Sequence, residues 1–341
     1  MHRCFGDARK SMMRPIFISG INRTGTHLLF SLLSGHSGLF VTGLEDDLVT
    51  AFAENGPEFE RAFVAGSIGK LYRALLAHTC LPTLKLIGLR GTRNYTHAKE
   101  VYDSTVDFPF NLRKFEDDFL ERLSGPNWTG LSAAKGADVF SAFYESLALA
   151  FAEQDKPVIV SKPGKGLQGF QNALPFLQGL DAKILYTIRD PRGVACSNTK
   201  GKGDVGPVVQ EWRTDLEALE AMKLGFDVLV VRYEDLCRDT GKTMNRVAKF
   251  IGVEQEDILL RPQMLGGDFS GNSSFEDFGG AISDASVDRW TTILSDKDIH
   301  RIEDAAWVEM ERSGYECQNR ISAVRRMKRS LLKAVRSFRG N

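Results

Sequence analysis

Residues 17–33, FISGINRTGTHLLFSLL, have the glycine spacing of a phosphate-binding loop. In the pattern G-x-x-x-x-G-K-[ST], backbone N–H groups cradle phosphates, the lysine contacts the β- and γ-phosphates, and the hydroxyl binds Mg²⁺. Thr26 and His27 stand where that lysine and Ser/Thr belong. Arg23 supplies a cation within the loop instead, and Thr26 supplies a hydroxyl one position early. The stretch therefore predicts a site for an anion with fewer phosphates in line and no need for Mg²⁺.

A second stretch that favours anion binding is residues 183–200, KILYTIRDPRGVACSNTK. It predicts a strand that ends at Arg189 and a helix capped by Asp190, with Pro191 in the first turn. Ser197 lies two turns into that helix, so the arginine fork and the hydroxyl can converge on one anionic group. An Arg–Asp pair at the surface is the alternative interpretation.

The elements that must position these residues are four short apolar runs, each followed by helical periodicity. They occupy residues 15–20, 157–162, 183–189 and 227–233. Runs of this kind are typical of parallel strands covered on both faces and joined by right-handed crossovers. We predict an α/β fold of the P-loop type, with a central parallel sheet flanked by helices and one site at the carboxyl ends of the strands.

The remaining segments predict one domain with an extension at each end. Residues 1–14 form an N-terminal extension, 15–317 the domain, and 318–341 a basic C-terminal helix. A mostly helical insertion, 45–155, follows the first βα unit; within it, periodicity leaves open whether 81–91 is a strand. Residues 263–289, rich in Gly, Ser and Asp, predict a long loop of the kind that often has a function. Helical patterns cover 295–314 and 320–338.

Composition excludes several classes of protein. Lys+Arg and Asp+Glu are equal at 44 each in the 341 residues, so no overall charge favours a nucleic-acid partner. The five cysteines form no C-x-x-C pair, which favours free thiols in a reducing compartment over a zinc site. We see neither an apolar run of membrane-spanning length nor the apolar core of a signal peptide, and predict a cytoplasmic protein.

Four motifs together resemble the sulfotransferase superfamily, whose donor is 3′-phosphoadenosine 5′-phosphosulfate (PAPS). RTGTHLL is similar to the family's 5′-phosphosulfate loop, R-[ST]-G-T-[TS]-x-[LW], and IRDPRGVACS to its 3′-phosphate motif, R-D-P-R-x-x-x-x-S. Residues 228–253 resemble the R-Y-E-D-L segment and its helix, and 286–315 the R-W-x-x-x-L-[ST] segment and final helix. The motifs occur in family order, whereas the insertion 45–155 is not covered.

The resemblance implies a loop that binds the 5′-phosphosulfate without a metal. Arg23 would bind the 5′-phosphate and the bridging oxygen, surrounded by the backbone of Thr24, Gly25, Thr26 and His27 and by the Thr26 hydroxyl. Lys162, which matches a lysine of the tyrosylprotein branch, would act on the same leaving oxygen.

At the other end of the nucleotide, the resemblance implies that Arg189 and Ser197 hold the 3′-phosphate. Tyr233 would contact the nucleotide, although a packed core tyrosine fits its motif nearly as well. Ser274 and Arg289 match the ends of a loop that closes over the nucleotide, and Ser273 is an alternative to Ser274.

The resemblance leaves the general base open. Many members of the family place a glutamate about 21 residues after the loop arginine, and Glu45 falls one residue late. The neighbouring Asp46 and Asp47 are alternatives. His78 and His97 are others, because phenol-type members use a histidine. Alternatively, these acidic residues have no catalytic role and only cap the helix that follows them.

The C-terminal segment 320–338 has apolar residues near helical spacing and basic residues elsewhere. Residues 320–341 hold eight basic side chains and no acidic one. A basic amphipathic helix of this kind binds anionic membrane, or it packs on its own domain as a solvated helix.

The resemblance as a whole implies an enzyme that transfers a sulfuryl group from PAPS to a hydroxyl or amine. The acceptor would be a glycan, a glycolipid or a small metabolite. A P-loop small-molecule kinase and a catalytically inactive nucleotide-binding scaffold are the alternatives.

Overall fold

The protein is built on a parallel sheet of five strands. The computed structural model describes residues 13–42, 45–64, 67–79, 110–123, 133–164, 166–171, 173–177, 180–264, 267–269 and 282–318. The strands are β1 (Arg14–Ser19), β2 (Leu39–Val41), β3 (Val158–Ser161), β4 (Lys183–Ile188) and β5 (Asp227–Arg232). Their order is β2-β3-β1-β4-β5, and every neighbouring pair is parallel. This arrangement confirms the predicted α/β fold with a central parallel sheet.

The strands form where they do because their side chains are buried on both faces. Ile16, Phe17 and Ile18 of β1 are all 0% exposed. Phe17 packs in one hydrophobic cluster, whereas Ile16 and Ile18 pack in the other, on the opposite face. Such double burial gives a continuous apolar run rather than an alternating one, and this is how the sequence predicted four of the strands. β2 has three residues, too few for a recognisable pattern.

Helices cover both faces of the sheet. Their bounds are α1 (Thr26–Leu33), α2 (Leu48–Val64), α3 (Ile68–His78), α4 (Leu112–Leu123), α5 (Ala133–Ala150), α6 (Gln168–Gln171), α7 (Leu174–Leu177), α8 (Pro191–Thr199), α9 (Gly206–Met222), α10 (Tyr233–Arg238), α11 (Thr240–Ile251), α12 (Trp290–Ile293) and α13 (Asp296–Arg312). Short 3₁₀ helices lie at Asp257–Leu260 and Asp284–Ser286.

The two faces of the sheet carry different sets of helices. α1 and α11 contribute side chains such as Leu29 and Val247 to one cluster. The helices of the predicted insertion, α2 to α5, pack with α8, α9 and α13 in the other cluster. Within α2, the rings of Phe52 and Phe59 stack with centroids 4.2 Å apart. The insertion therefore shares the core of the sheet.

Local signals in the sequence mark several element boundaries correctly. The Asp190 carboxylate accepts a hydrogen bond from the Arg192 N–H at 2.8 Å, and Pro191 occupies the first helical position of α8, as predicted. The residues Asn-Gly-Pro at 55–57, typical of a turn, lie at a kink inside α2 at Asn55. The predicted helix 295–314 is α13.

The loop predicted for 263–289 begins with a short hairpin, β6 (Gln263–Met264) and β7 (Gly267–Asp268). Residues 81–91, 270–281 and 320–338 lie outside the described residues, so the predictions made for them stay predictions.

Because the sheet is parallel, the carboxyl ends of its strands meet at one edge. That edge carries the loop with Arg23 after β1, Lys162 after β3, Arg189 after β4, and Tyr233 after β5.

Candidate active site

The loop between β1 and α1 is held in shape by backbone conformations and by a buried threonine. Arg23 and Gly25 have positive φ angles of 72° and 94°. The Thr24 hydroxyl donates to the Ile21 carbonyl at 2.7 Å and lies 2.9 Å from the Thr187 hydroxyl of β4. The side chain of Thr24 therefore fastens the loop to the sheet and faces away from any ligand.

The loop presents the start of α1 to the site. α1 begins at Thr26, and its N-cap, Gly25, makes no side-chain capping hydrogen bond. The first amides of a helix have no partner within the helix and carry the positive end of its dipole. This geometry suits an anion bound by the backbone from Gly25 to His27, as predicted.

Arg189 reaches this loop from the end of β4. Its guanidinium donates from Nη1 to the Arg23 carbonyl at 3.2 Å and from Nη2 to the Ser286 carbonyl at 2.6 Å. The backbone carbonyl of Arg189 accepts from Trp212 Nε1 at 3.0 Å. Gly193 makes room for the side chain, since a Cβ there would lie 2.8 Å from Arg189 Nε. The two arginines predicted to bind opposite ends of one nucleotide therefore lie side by side.

Tyr233 packs against both predicted anion-binding stretches, the loop with Gly25 and the segment with Arg189. The guanidinium carbon of Arg189 lies 4.2 Å from the centre of its ring. On the loop side, a Cβ on Gly25 would meet Tyr233 Cδ2 at 2.5 Å. The Tyr233 hydroxyl bonds the Ser286 hydroxyl. The ring is therefore clamped between the loop and Arg189, a structural role compatible with its predicted contact to the nucleotide.

Arg189, Arg289 and Ser197 gather around the first turns of α8. Burial raises the pKa of the Cys196 thiol, whereas the nearby charges of Arg189 and Arg289 act to lower it. Ser197 is the next residue and is half-buried. The predicted residues for the 3′-phosphate thus share one region, while Ser274 lies outside the described residues.

The electrostatics of the cleft favour an anion. Burial lowers the pKa of Arg23, and the positive charge of Arg189 lowers it further. Both effects disfavour the charged guanidinium, and a bound anion would reverse the second of them.

A second group of charges lies at the ends of β2 and β3. Lys162, whose side chain is 5% exposed, pairs with Glu45 Oε1. His27 Nε2 lies 3.5 Å from the same oxygen, and the Glu45 side chain is 39% exposed. The predicted base, the predicted cation and the end of the phosphate loop are thus in contact.

The structure distinguishes the three adjacent acids. Asp46 is fully buried; its Oδ1 accepts from the Leu48 N–H at 3.1 Å, and the Tyr144 hydroxyl lies 3.5 Å from that oxygen. Burial raises the pKa of Asp46 to about 6. Asp47, at a φ of 56°, accepts from the Gly164 N–H at 3.3 Å. Asp46 and Asp47 therefore hold the segment in place, and Glu45 is the acid that contacts Lys162 and His27.

The histidine alternatives receive no support from the described contacts. His78, on α3, lies 3.1 Å from a carboxylate oxygen of Glu58 on α2. His97 lies outside the described residues.

A buried network behind Arg189 was not predicted from the sequence. Arg192 bonds Asp190 and, at 2.7 Å, Glu303 on α13. Glu234 accepts from the Asp190 N–H at 2.9 Å and from the Tyr315 hydroxyl at 3.1 Å. Asp190 and Glu234 adjoin Arg189 and Tyr233 in the chain, so the network fixes both. The RDPR and RYED motifs contain Asp190, Arg192 and Glu234, so part of the network was visible in the sequence. Its distant partners Glu303 and Tyr315 were not.

Within the described part of the chain, no group of three or more His, Cys, Asp or Glu residues could hold a metal ion. None of the helices described combines the length and the apolar character that crossing a membrane requires.

Comparison with known proteins finds similarity to sulfotransferases over part of the chain. The sulfotransferase family model matches residues 180–257. Two curated proteins, from Mus musculus and Homo sapiens and both named carbohydrate sulfotransferase 2, are each 27% identical over alignments that cover 50% of this chain. The chain is therefore similar to sulfotransferases over residues 180–257 and over about half of its length. It spans less than half the length of these curated relatives, 43% of each.

Among solved structures, the sulfotransferase domain of the Synechococcus PCC 7002 olefin synthase is similar at a TM-score of 0.49 and 18% identity, covering 89% of this chain and 94% of that one. The sulfotransferase STF9 from Mycobacterium avium has a TM-score of 0.42 and 14% identity, covering 91% and 79%.

The sulfotransferase family match, 180–257, contains β4, α8, α9, β5, α10 and α11, and with them Arg189, Ser197 and Tyr233. Arg23, Glu45 and Lys162 lie outside the matched range. Their roles therefore rest on position at the same sheet edge.

Proposed function

We propose that the protein is an enzyme that transfers a sulfuryl group from PAPS to a hydroxyl group of a carbohydrate. The observation that carries this proposal is the contact of Arg189 with the phosphate loop, where its Nη1 donates to the Arg23 backbone carbonyl at 3.2 Å. Two arginines at neighbouring strand ends suit a nucleotide with phosphates at both its 5′ and 3′ positions. The carbohydrate acceptor is proposed because the curated relatives are carbohydrate sulfotransferases.

In this proposal the donor lies along the carboxyl edge of the sheet. The 5′-phosphosulfate binds at Arg23 and the amides that begin α1, and the 3′-phosphate binds at Arg189, Ser197 and Arg289. Ser274 stays part of the proposal as a residue of the closing loop. Hydrogen bonds to charged groups contribute about 1.5–3 kcal/mol each, which is enough for a few arginine contacts to select a bisphosphate.

The transfer itself needs a base and a cation near the reacting atoms. Glu45 takes the proton of the acceptor hydroxyl as that oxygen attacks the sulfur. The bond from sulfur to the bridging oxygen breaks, and 3′-phosphoadenosine 5′-phosphate (PAP) leaves with the electron pair. Arg23 and Lys162 neutralise the charge on the leaving oxygen. Lys162 pairs with Glu45 in the structure, so in this proposal it turns from the base toward the donor.

The test is to incubate the protein with ³⁵S-labelled PAPS and a crude carbohydrate extract, without metal, and to look for labelled carbohydrate. We expect labelled product that does not depend on Mg²⁺ and that is lost in Glu45→Gln. Labelling of a different acceptor would support sulfuryl transfer and show that the acceptor is not a carbohydrate. ATP binding that requires Mg²⁺ would indicate a kinase, and PAPS binding without transfer to any fraction an inactive scaffold.

A further inference from the structure

His27 differs from the sulfotransferase loop pattern that its neighbours follow. Ser or Thr is usual at this position in R-[ST]-G-T-[TS], where a short hydroxyl side chain stays near the phosphate. His27 is the second residue of α1, and its side chain is 37% exposed. Its Nε2 lies three bonds beyond Cβ and reaches 3.5 Å from Glu45 Oε1. The side chain therefore contacts the proposed base.

Both contacts of Glu45 fall on the same oxygen. Lys162 Nζ and His27 Nε2 approach Oε1 from β3 and from α1, respectively. Oε2 lies toward Gly164, where a Cβ would come within 2.9 Å of it. A larger residue at 164 would crowd Oε2, and glycine leaves that oxygen accessible.

We propose that His27 is a positioning residue for the base Glu45. It donates from Nε2 to Oε1 and so directs Oε2 toward the acceptor hydroxyl. This inference rests on the proposed function, in which Oε2 removes the acceptor proton. Contacts of catalytic groups are often long before substrate binds and shorten in the reacting complex.

His27 becomes more important once the donor is bound. Lys162 then turns to the leaving oxygen and no longer holds Glu45. His27 is on the loop that binds the same donor, so it stays at Oε1 while Lys162 moves. A base that is held by a second partner keeps its orientation through the transfer step.

The pairing itself is testable without donor or acceptor, by NMR titration of the histidine rings. The chain has six histidines, and the signal of His27 is the one missing in His27→Ser. Glu45 contacts this ring, Lys162 shares the same Glu45 oxygen, and Asp47 lies beside Glu45 at Gly164. A neighbouring carboxylate favours the charged imidazolium form of a histidine, and a neighbouring cation disfavours it.

The expected signs are opposite for two variants. Glu45→Gln removes the negative charge and lowers the pKa of His27, whereas Lys162→Ala leaves Glu45 unpaired and raises it. An unchanged His27 titration in Glu45→Gln would overturn the proposal. Asp47→Asn is the matched control, because its carboxylate bonds the Gly164 N–H and should affect His27 less.

The positioning role is tested by the kinetics of His27→Ser, which restores the hydroxyl of the family pattern. We expect kcat to fall by roughly 10²-fold, the lower end of the range for a positioned acid–base group. The KM for PAPS and the affinity for PAP should stay near those of the wild type. His27→Gln, which keeps a donor on a long side chain, should recover part of the loss.

Full turnover in His27→Ser would overturn the proposal, and so would a loss confined to PAPS binding. If the wild type transfers no sulfuryl group, the proposed function fails, and with it this role for His27. The titration would then still show whether the histidine pairs with Glu45, so the two failures are distinguishable.

Discussion

At the scale of single residues, the site depends on two arginines that lie close together around one tyrosine ring. Burial and the charge of Arg189 both lower the pKa of Arg23, so the pair favours binding of an anion. The Tyr233 ring packs against both Arg189 and the phosphate loop, with a contact so close at Gly25 that no side chain fits there. Glycine is required at that position for its positive φ and for the approach of the ring.

Gly25→Ala tests this contact. An alanine held at a φ of 94° costs about 1–2 kcal/mol, and its Cβ would meet the Tyr233 ring at 2.5 Å. We expect a lower melting temperature and weaker binding of PAP, measured by calorimetry.

Gly69→Ala, on α3, is the matched control. A Cβ at Gly69 has nothing within 4 Å, so PAP binding should be unchanged and stability should rise by up to about 1 kcal/mol. Wild-type affinity for PAP in Gly25→Ala would show that the Tyr233 contact does not shape the loop.

The sequence predicted the principal charged residues but not most of their partners. Arg23 and Arg189 were found because each sits at a strand end in a recognisable local motif. The contacts of Arg189 with Ser286 and of Lys162 with Glu45 join segments far apart in the chain, which no local motif can reveal. The order of the strands helps to bring such segments together. That order brings β3 next to β1, although more than a hundred residues separate them.

At the scale of elements, the segment 45–47 docks the start of α2 on the end of β3. Its three carboxylates have different partners, and Glu45 is the one that contacts Lys162 and His27. Local periodicity could not distinguish them, because the segment has no regular secondary structure. The distinction comes from the burial of Asp46 beside Tyr144 on α5 and from the bond between Asp47 and the Gly164 N–H.

Asp46→Asn tests the docking through pH dependence. The folded-state pKa of Asp46, about 6, lies above its ordinary 3.8 because the carboxyl is buried. The folded protein thus binds the extra proton between these pH values. The resulting stabilisation is present below pH 3.8 and is lost as pH rises through about 6. A shift of about two pKa units corresponds to about 3 kcal/mol.

We expect the unfolding free energy of the wild type, relative to Asp46→Asn, to fall as pH rises from 3.8 to about 6 in urea titrations. Asp215, whose pKa is also raised to about 6, is present in both proteins and cancels. Asp204→Asn is a control of opposite sign, because hydrogen bonds lower the pKa of the exposed Asp204. A difference that does not vary with pH would contradict the burial of an ionisable Asp46.

At the scale of the whole molecule, hydrogen bonds hold the chain against the domain as far as Gln318. The Gln318 N–H donates to Glu303 Oε1 at 2.9 Å, and Arg192 Nη2 donates to the Glu316 carbonyl at 3.0 Å. The chain has equal numbers of basic and acidic residues, yet residues 320–341 hold eight basic and no acidic ones. The rest of the chain is therefore net acidic. We propose that the protein is cytoplasmic and that this tail contacts anionic membrane.

Truncation after Gln318 tests the tail. Each Lys or Arg near an anionic surface contributes about 1 kcal/mol, so the full chain should co-sediment with phosphatidylserine vesicles at low salt and dissociate at high salt. The truncated chain should keep its melting temperature and its PAP affinity but not bind vesicles. Equal co-sedimentation of both chains would show that the membrane contact lies outside residues 319–341. If neither chain co-sediments with the vesicles, the proposed membrane contact is refuted.

The 3′-phosphate site is tested most directly by the affinities of the wild type and of Arg189→Ala for PAP and for adenosine 5′-phosphate, which lacks the 3′-phosphate. We expect the wild type to prefer PAP and Arg189→Ala to lose about 1.5–3 kcal/mol of PAP binding, roughly 10–100-fold, with little change for adenosine 5′-phosphate. A melting curve of the variant checks that loss of the bonds to Arg23 and Ser286 has not unfolded the cleft. Equal affinity of the wild type for both nucleotides, or an equal loss for both in Arg189→Ala, would contradict a 3′-phosphate site at Arg189.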